Sequence, residues 1–556
     1  MFRKIRIEKG IVILTLVYLL TFLVMLPLRN QTYQDDWAYA LSVKNFLNTG
    51  VLRVSDWSSA SLIFPIYWGS LFSRIFGANL ISLHISTISI FFIGLLSFYL
   101  LLRKLGLDQT RSTFFSIILL SFPWVFDFSY TFLTDIPFVS LSIVTILLYT
   151  LALQKNKKIF FVLGSIFAGF SYLTRQIGIA FPISIFLVLA ISDLSQKKIN
   201  IMRYLLSLVP FALMAGAYSF WLKSDNNLTT TQYQLSKYFL NGVLPYLWPF
   251  DVKKVGGTYG YYLSFVQRIV LYFHLIIGFL LPSLFVFKIN LKSIKNVLIK
   301  YKISILIISV FYLIFLALEI FLHYSRRSYI LEVPTLVTRY SIVSILDFQK
   351  IWKFIVGISV VIWIPIVAII FHKIIKSIFK PIEKKRFKLF IILSILGILF
   401  LGYYEFLLFQ DLFRNTIPRQ IYVDPFATAT FYLNSINTPT GINIIQNNLV
   451  IQLVIATAIF TITVLVTSFK IKLNIKKPEL AFILLSFLGI FSILVFYMYF
   501  YWHQYIISIV AFFIIALAII SKKWEFNKFR MFAVCTILLL FSVSLTKNRY
   551  EKSGIG

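Results

Sequence analysis

Two adjacent acids, Asp35 and Asp36, follow an uncharged apolar run of eighteen residues, Ile11 to Leu28. Carboxylates at the edge of such a run do nothing for insertion into lipid and are first candidates for chemistry. One carboxylate can take a proton from a hydroxyl, and its neighbour can orient it or a substrate. A further acid, Asp135, stands in Thr134-Asp135-Ile136-Pro137 at the head of another apolar run. An Asp before a first-turn proline is also an ordinary helix start, so capping and substrate binding are both open there. Arg175 interrupts an apolar stretch of about 34 residues and has no acid within ten positions. A guanidinium near lipid costs at least ~2.5 kcal/mol on insertion scales, and its planar fork suits a phosphate or pyrophosphate at headgroup depth. Snorkelling, or pairing with a distant acid, is the plainer alternative. His503, in Tyr501-Trp502-His503-Gln504-Tyr505, occupies a short polar break between two apolar runs and is a weaker candidate. Asp56, Asp127, Arg326, Arg327 and Arg339 complete the polar groups expected on the same side.

Other chemistries find no residues. The five histidines are scattered, and no histidine or cysteine cluster has metal-ligand spacing. P-loop, G-x-G-x-x-G and nucleophile-elbow motifs are missing from the sequence, so the energy for any reaction must arrive with the substrate. The single cysteine, Cys535, can form no internal disulfide.

The elements that must position these groups are membrane helices. Of 556 residues, 59% are hydrophobic and only 13% charged, with mean hydropathy +0.87. Apolar runs recur from end to end at the length a ~30 Å hydrocarbon core requires, roughly 20 residues. They are continuous rather than alternating, which excludes a β-barrel. The expected spans are 11–28, 80–102, 112–126, 136–153, 159–173, 177–192, 204–222, 264–287, 303–323, 351–371, 389–409, 448–469, 479–501, 504–521 and 531–546. The fold class is an all-α polytopic transmembrane bundle of about 13–15 helices. Residues 1–222 form a catalytic core that includes the outer loop 29–79, and 223–556 supply further helices of the same membrane domain.

The formal charge of +33 would suit nucleic acid, but the basic residues form no single patch. Alternating sides from a cytoplasmic N-terminus places 33 of the 53 Lys and Arg in eight short inside loops. That is the positive-inside pattern, and no nucleic-acid partner is expected. Met25-Leu26-Pro27-Leu28-Arg29 is too bulky for a signal cleavage site, so the first run is read as a retained helix. The long outer segments 29–79, 223–263, 324–350 and 410–447 are rich in Trp and Tyr, and 63–72 predicts a helix lying on the outer leaflet. Arg175 falls at an outer turn, because 34 residues in one helix would reach ~51 Å. The Ile-, Phe- and Lys-rich composition points to a prokaryotic plasma membrane with the site on its extracytoplasmic face.

This series of features resembles the GT-C membrane glycosyltransferases, in the glycosyltransferase 39-type branch of protein O-mannosyltransferases and the lipid A aminoarabinose transferase. Asp35-Asp36 align with that family's Asp-Glu pair, and Phe132-Leu133-Thr134-Asp135-Ile136-Pro137-Phe138 is similar to its T-D-x-P entry to the fourth helix. Gly164, Gly169 and Leu173-Thr174-Arg175 look like its helix hairpin, and Tyr505 occupies the place of its C-terminal R-Y-x-x-P segment. The sequence departs by having Asp36 for Glu, and His503 or Gln504 for the late Arg with no proline after it. The resemblance implies an inverting transfer of sugar from a polyprenyl-phosphate donor to a glycan, lipid or protein acceptor. It implies Asp35 as base, Asp36 as its orienting partner or a metal ligand, Asp135 on acceptor or sugar, and Arg175 on the phosphate. Part of the family uses a divalent ion such as Mg or Mn; this sequence leaves that open. An O-antigen ligase or polymerase, or a transporter of lipid-linked sugars, is the alternative.

Overall fold

Lipid offers no hydrogen-bond partners, so each apolar run must pair its own backbone groups and folds as a helix. The structure is a computed structural model that describes residues 8–26, 28, 32–196, 199–224, 227–233, 276, 279–288, 477–497, 503–522 and 524–552. Its helices are α1 (Lys9–Val24), α2 (Asp36–Thr49), α3 (Ile63–Phe76), α4 (Leu80–Lys104), α5 (Gln109–Leu120), α6 (Pro123–Phe128), α7 (Asp135–Lys155), α8 (Lys158–Thr174), α9 (Ala180–Gln196) and α10 (Ile201–Lys223). After these come α11 (Pro478–Tyr497), α12 (Ile507–Ser521) and α13 (Lys528–Lys552). Among the described residues, five helices are long and apolar enough to cross a membrane. The chain is an all-α polytopic membrane protein. The expected spans 303–323, 351–371, 389–409 and 448–469, and Arg326, Arg327 and Arg339, lie outside the described residues.

Several boundaries differ from the sequence reading, each for a local reason. The expected span 112–126 is two helices: Phe122 is extended (φ −67°, ψ 120°) before Pro123, as the residue ahead of a proline prefers. The span drawn to 287 instead ends in a 3-10 turn, Leu281–Val286, with Pro282 in its first turn. It is followed by strand β1 (Phe287–Lys288), paired antiparallel with β2 (Glu525–Phe526). The segment 29–79 holds an additional helix, α2, closed by Gly50 in the left-handed conformation (φ 70°), whose N–H bonds to the Phe46 carbonyl.

The centre of the bundle is α7, packed between α4 and α8, with α10 on the far side of α8. Small residues allow these close approaches. A Cβ at Gly94 would stand 2.8 Å from Ser140 Cα, and Tyr149 fills the notch at Gly164. Tyr149 Oη then reaches past α8 to the Ser207 carbonyl at 2.9 Å. Gly164 and Gly169, the glycines of the helix hairpin, thus serve packing against α7 and α10.

The two ends of the bundle differ in charge. One end carries Glu8, Arg103, Arg111, Lys155, Arg203 and Lys522. There Arg103 pairs with Glu8 at 3.0 Å, and Arg111 donates to the carbonyls of Ser521, Lys522 and Trp524. That last contact ties the C-terminal hairpin to α5. The other end carries Asp35, Asp36, Asp56, Asp135 and Arg175 together with Lys44, Arg53, Arg74 and Lys223.

Candidate active site

The turn before α2 presents the acid pair. Tyr33 N–H donates to Asp36 Oδ1 at 2.6 Å, and Gln34 between them adopts a left-handed φ of 52°. This closure turns Asp36 inward, where it is fully buried, and leaves Asp35 half-buried at the head of the helix. Asp35 makes no capping bond. Its Oδ1 accepts instead from Trp57 Nε1–H at 2.9 Å, so one oxygen of the carboxylate is held in place. The Trp57 ring lies 5.9 Å from that of Trp37, and both are partly exposed.

The loop carrying Trp57 is itself anchored from two directions. Ser61 Oγ donates to the Tyr172 carbonyl at 2.9 Å, and Gln176 Nε2 to the Ser59 carbonyl at 3.2 Å. From beyond α10, Thr229 Oγ1 donates to the Ser58 carbonyl at 2.6 Å and Gln232 Nε2 to the Ala60 carbonyl at 2.9 Å. Asp56 is exposed, and its backbone carbonyl accepts from Thr231. Asp127 is half-buried in α6.

Asp135 and Arg175, forty positions apart, form a buried ion pair. Arg175 reaches Asp135 at 2.9 Å (Nη1 to Oδ1) and 3.1 Å (Nη2 to Oδ2), and its Nε–H donates to Thr134 Oγ1 at 2.8 Å. Asp135 is 1% exposed and Arg175 9%. The N-cap of α7 is Thr134, and Asp135 is the first helical residue, so the capping reading of Asp135 gives way to pairing with Arg175. Of the alternatives open for Arg175, pairing with a distant acid is the one that folding supplies, through Asp135. Arg175 Nη1, though close to Asp135 Oδ1, is not aligned for a hydrogen bond and keeps unused donor capacity.

Tyr505 closes the cluster from the C-terminal hairpin. Its ring lies under the Arg175 guanidinium, 5.5 Å from ring centroid to Cζ, a cation–π contact. Burial pushes the hydroxyl of Tyr39, on α2, well above its usual range, so it is a neutral phenol at physiological pH. The charge of Asp35 acts on Tyr39, Asp135, Arg175 and Tyr505 alike, which places these groups around one site. His503 opens the 3-10 turn that carries Tyr505, but its side chain lies outside the described residues.

Sequence reasoning missed Trp57, Tyr39 and His84. His84, in the second turn of α4, is 1% exposed with Nε2 3.7 Å from Asp36 Oδ2. An ionisable group inside an otherwise apolar span was a usable signal for it. Trp57 and Tyr39 carry no such signal in a chain so rich in aromatics.

Among the described residues no three His, Cys, Asp or Glu side chains gather as a metal ion requires. Asp36 directs its oxygens to Tyr33 and His84 and is closed to solvent, a poor fit to the role of metal ligand that the resemblance left open for it.

Residues 63–220 match the family of dolichyl-phosphate-mannose-protein mannosyltransferases. The match spans α3 to within α10, including Asp135 and Arg175, and the likeness to GT-C membrane glycosyltransferases drawn from the motifs holds over that stretch. Asp35, Asp36 and Tyr505 lie outside it and join it only in space. Neither a curated protein nor a solved structure matches the chain.

Proposed function

We propose that this chain is an inverting glycosyltransferase that moves a sugar from a polyprenyl-phosphate donor to an acceptor hydroxyl at the membrane face bearing Asp35. The family likeness supports a membrane glycosyltransferase acting on a lipid-linked sugar as the general class. The observation that carries the finer reading is Asp35 itself: a half-buried carboxylate, fixed through one oxygen by Trp57, whose charge acts on a buried arginine.

In this reading the acceptor oxygen attacks the anomeric carbon while its proton passes to Asp35. The bond from that carbon to the phosphate oxygen breaks, and the electron pair leaves with the lipid phosphate. One displacement inverts the anomeric centre and needs a single base. Arg175 supplies the positive charge that balances the charge growing on the departing phosphate. Asp135 and Tyr505 hold the guanidinium in place, and Asp135 borders the acceptor or sugar. His503 remains a candidate phosphate ligand on the same turn as Tyr505. No step passes through Mg or Mn, because the donor set around Asp36 does not suit one.

The Lys- and Arg-bearing end of the bundle supports a cytoplasmic N-terminus with this site on the extracytoplasmic face of the plasma membrane. The acceptor is a glycan, lipid or protein hydroxyl. The test is transfer from a labelled polyprenyl-phosphate sugar by purified protein in liposomes, wild type against Asp35→Asn. The base role predicts a turnover loss of ~10²-fold or more with donor binding retained. Equal turnover in both removes Asp35 from the mechanism, and wild-type protein inert toward every such donor shifts the reading to a transporter.

A further inference from the structure

Below the acid pair, two buried polar groups face each other without hydrogen bonds. Asp36 Oδ2 and both ring nitrogens of His84 are enclosed and lack a hydrogen-bond partner among the described residues, with Nε2 and Oδ2 3.7 Å apart. Groups this deep are almost always hydrogen-bonded, because an unmade bond forfeits the full cost of desolvation. A shift of under about 1 Å would bring the two into hydrogen-bond range. The other oxygen of Asp36 accepts from Tyr33 N–H and so closes the turn from which Asp35 projects. Any movement of Asp36 therefore moves the adjoining Asp35. His84 is itself well placed to act as an anchor. It stands near the start of α4, which is capped by the Asn79 side chain on Ser82 N–H at 2.9 Å and tied to α1 through Tyr18 Oη on the Ile88 carbonyl at 2.7 Å.

We propose that His84 is a positioning residue for the acid pair: it donates Nε2–H to Asp36 Oδ2 and, through the Tyr33–Asp36 turn, fixes the direction of the Asp35 carboxylate. This rests on the reading of Asp35 as the base. His84 touches no substrate in this scheme; it acts through Asp36. A histidine that only fills space would tolerate an apolar side chain of similar size, whereas a positioning histidine would not.

The experiment compares wild type, His84→Leu, His84→Gln, Asp36→Asn and the His84→Leu/Asp36→Asn pair in lipid nanodiscs. kcat and KM are measured, with thermal unfolding as a check on folding. Misplacing a base by about 1 Å costs up to ~10²-fold, so His84→Leu is expected to lower kcat at least tenfold with donor KM within about twofold. His84→Gln, which returns an amide N–H close to the Nε2 position, recovers kcat to within about threefold. In the Asp36→Asn background His84→Leu adds little, as expected for groups acting in one chain of contacts. Wild-type kcat in His84→Leu, equal losses in the Leu and Gln variants, or fully multiplying losses in the double variant would each overturn the proposal. A second readout does not depend on turnover. In ¹⁵N-histidine-labelled protein, the ring resonance lost in His84→Gln must shift in Asp36→Asn; if it stays in place, His84 does not bond to Asp36. Wild-type protein inactive on all donors, with that resonance shifting, would instead refute the glycosyltransferase reading and leave the contact standing.

Discussion

Replacing Arg175 with Met leaves Asp135 in the bundle with its charge unmatched. At 2.9 Å the pair attracts by about 6 kcal/mol at an effective dielectric near 20. Much of that offsets desolvation, since both groups are more than nine-tenths buried. What remains when one partner is removed is the cost of the stranded charge, about 3–5 kcal/mol. The double variant Asp135→Asn/Arg175→Met strands neither and should regain most of that stability. Cys535 is a built-in probe: it is the chain's only cysteine and is buried in α13, so a thiol-reactive dye reports unfolding. The single variants should unfold several degrees below wild type and the double variant close to it. Sugar transfer should fall at least ~10²-fold in the two variants that lack Arg175, because electrostatic stabilisation of the leaving phosphate is gone. Single variants that unfold at the wild-type temperature would refute the buried pair. A double variant that regains transfer along with stability would refute the role of Arg175 on the phosphate.

Three other outcomes follow from the same geometry. Trp57→Phe keeps the ring but removes the N–H held by Asp35 Oδ1; a bond to a charged group is worth ~1.5–3 kcal/mol, and kcat should fall about tenfold or more in the transfer assay. At the opposite end of the bundle, hydrogen bonds from Arg103 and Tyr99 hold the Glu8 carboxyl below its ordinary value of 4.5. That contribution to stability is present above pH 4.5 and is lost as pH falls through the lowered value. The unfolding temperatures of wild type and Glu8→Gln should therefore differ slightly at pH 7 and converge as the pH falls below 4.5, with transfer at pH 7 unchanged. Gly94→Val would drive a side chain into the Ser140 backbone, which cannot yield as a side-chain tip can, so α4 and α7 must separate at a cost of about 1–3 kcal/mol or more, visible in the same thiol-dye melt.

Hydropathy and charge made the helical bundle legible in sequence because both are local: a span needs only its own residues to be apolar, and its flanks to carry Lys and Arg. The start of α7 at Asp135, the turn at Arg175 and the helix at 63 were all readable in this way. α2 also left local signals, in the acids at its head and Gly50 at its end, but its half-polar composition hid it among loop residues. Asp35, Asp36, Asp135 and Arg175 stood out singly as charges in a chain with few. Their arrangement was not legible, because it depends on which helices pack together. Arg175 looked unpaired until α7 and α8 met and brought Asp135 to its guanidinium. Tyr505, 330 positions further on, reaches Arg175 only because the C-terminal hairpin packs back onto α7. The two neighbouring acids diverged for the same reason: the Tyr33 turn buries Asp36 toward His84 and leaves Asp35 for Trp57. Residue type set what each group could do, and the contacts between distant helices decided which of them was left free to do it.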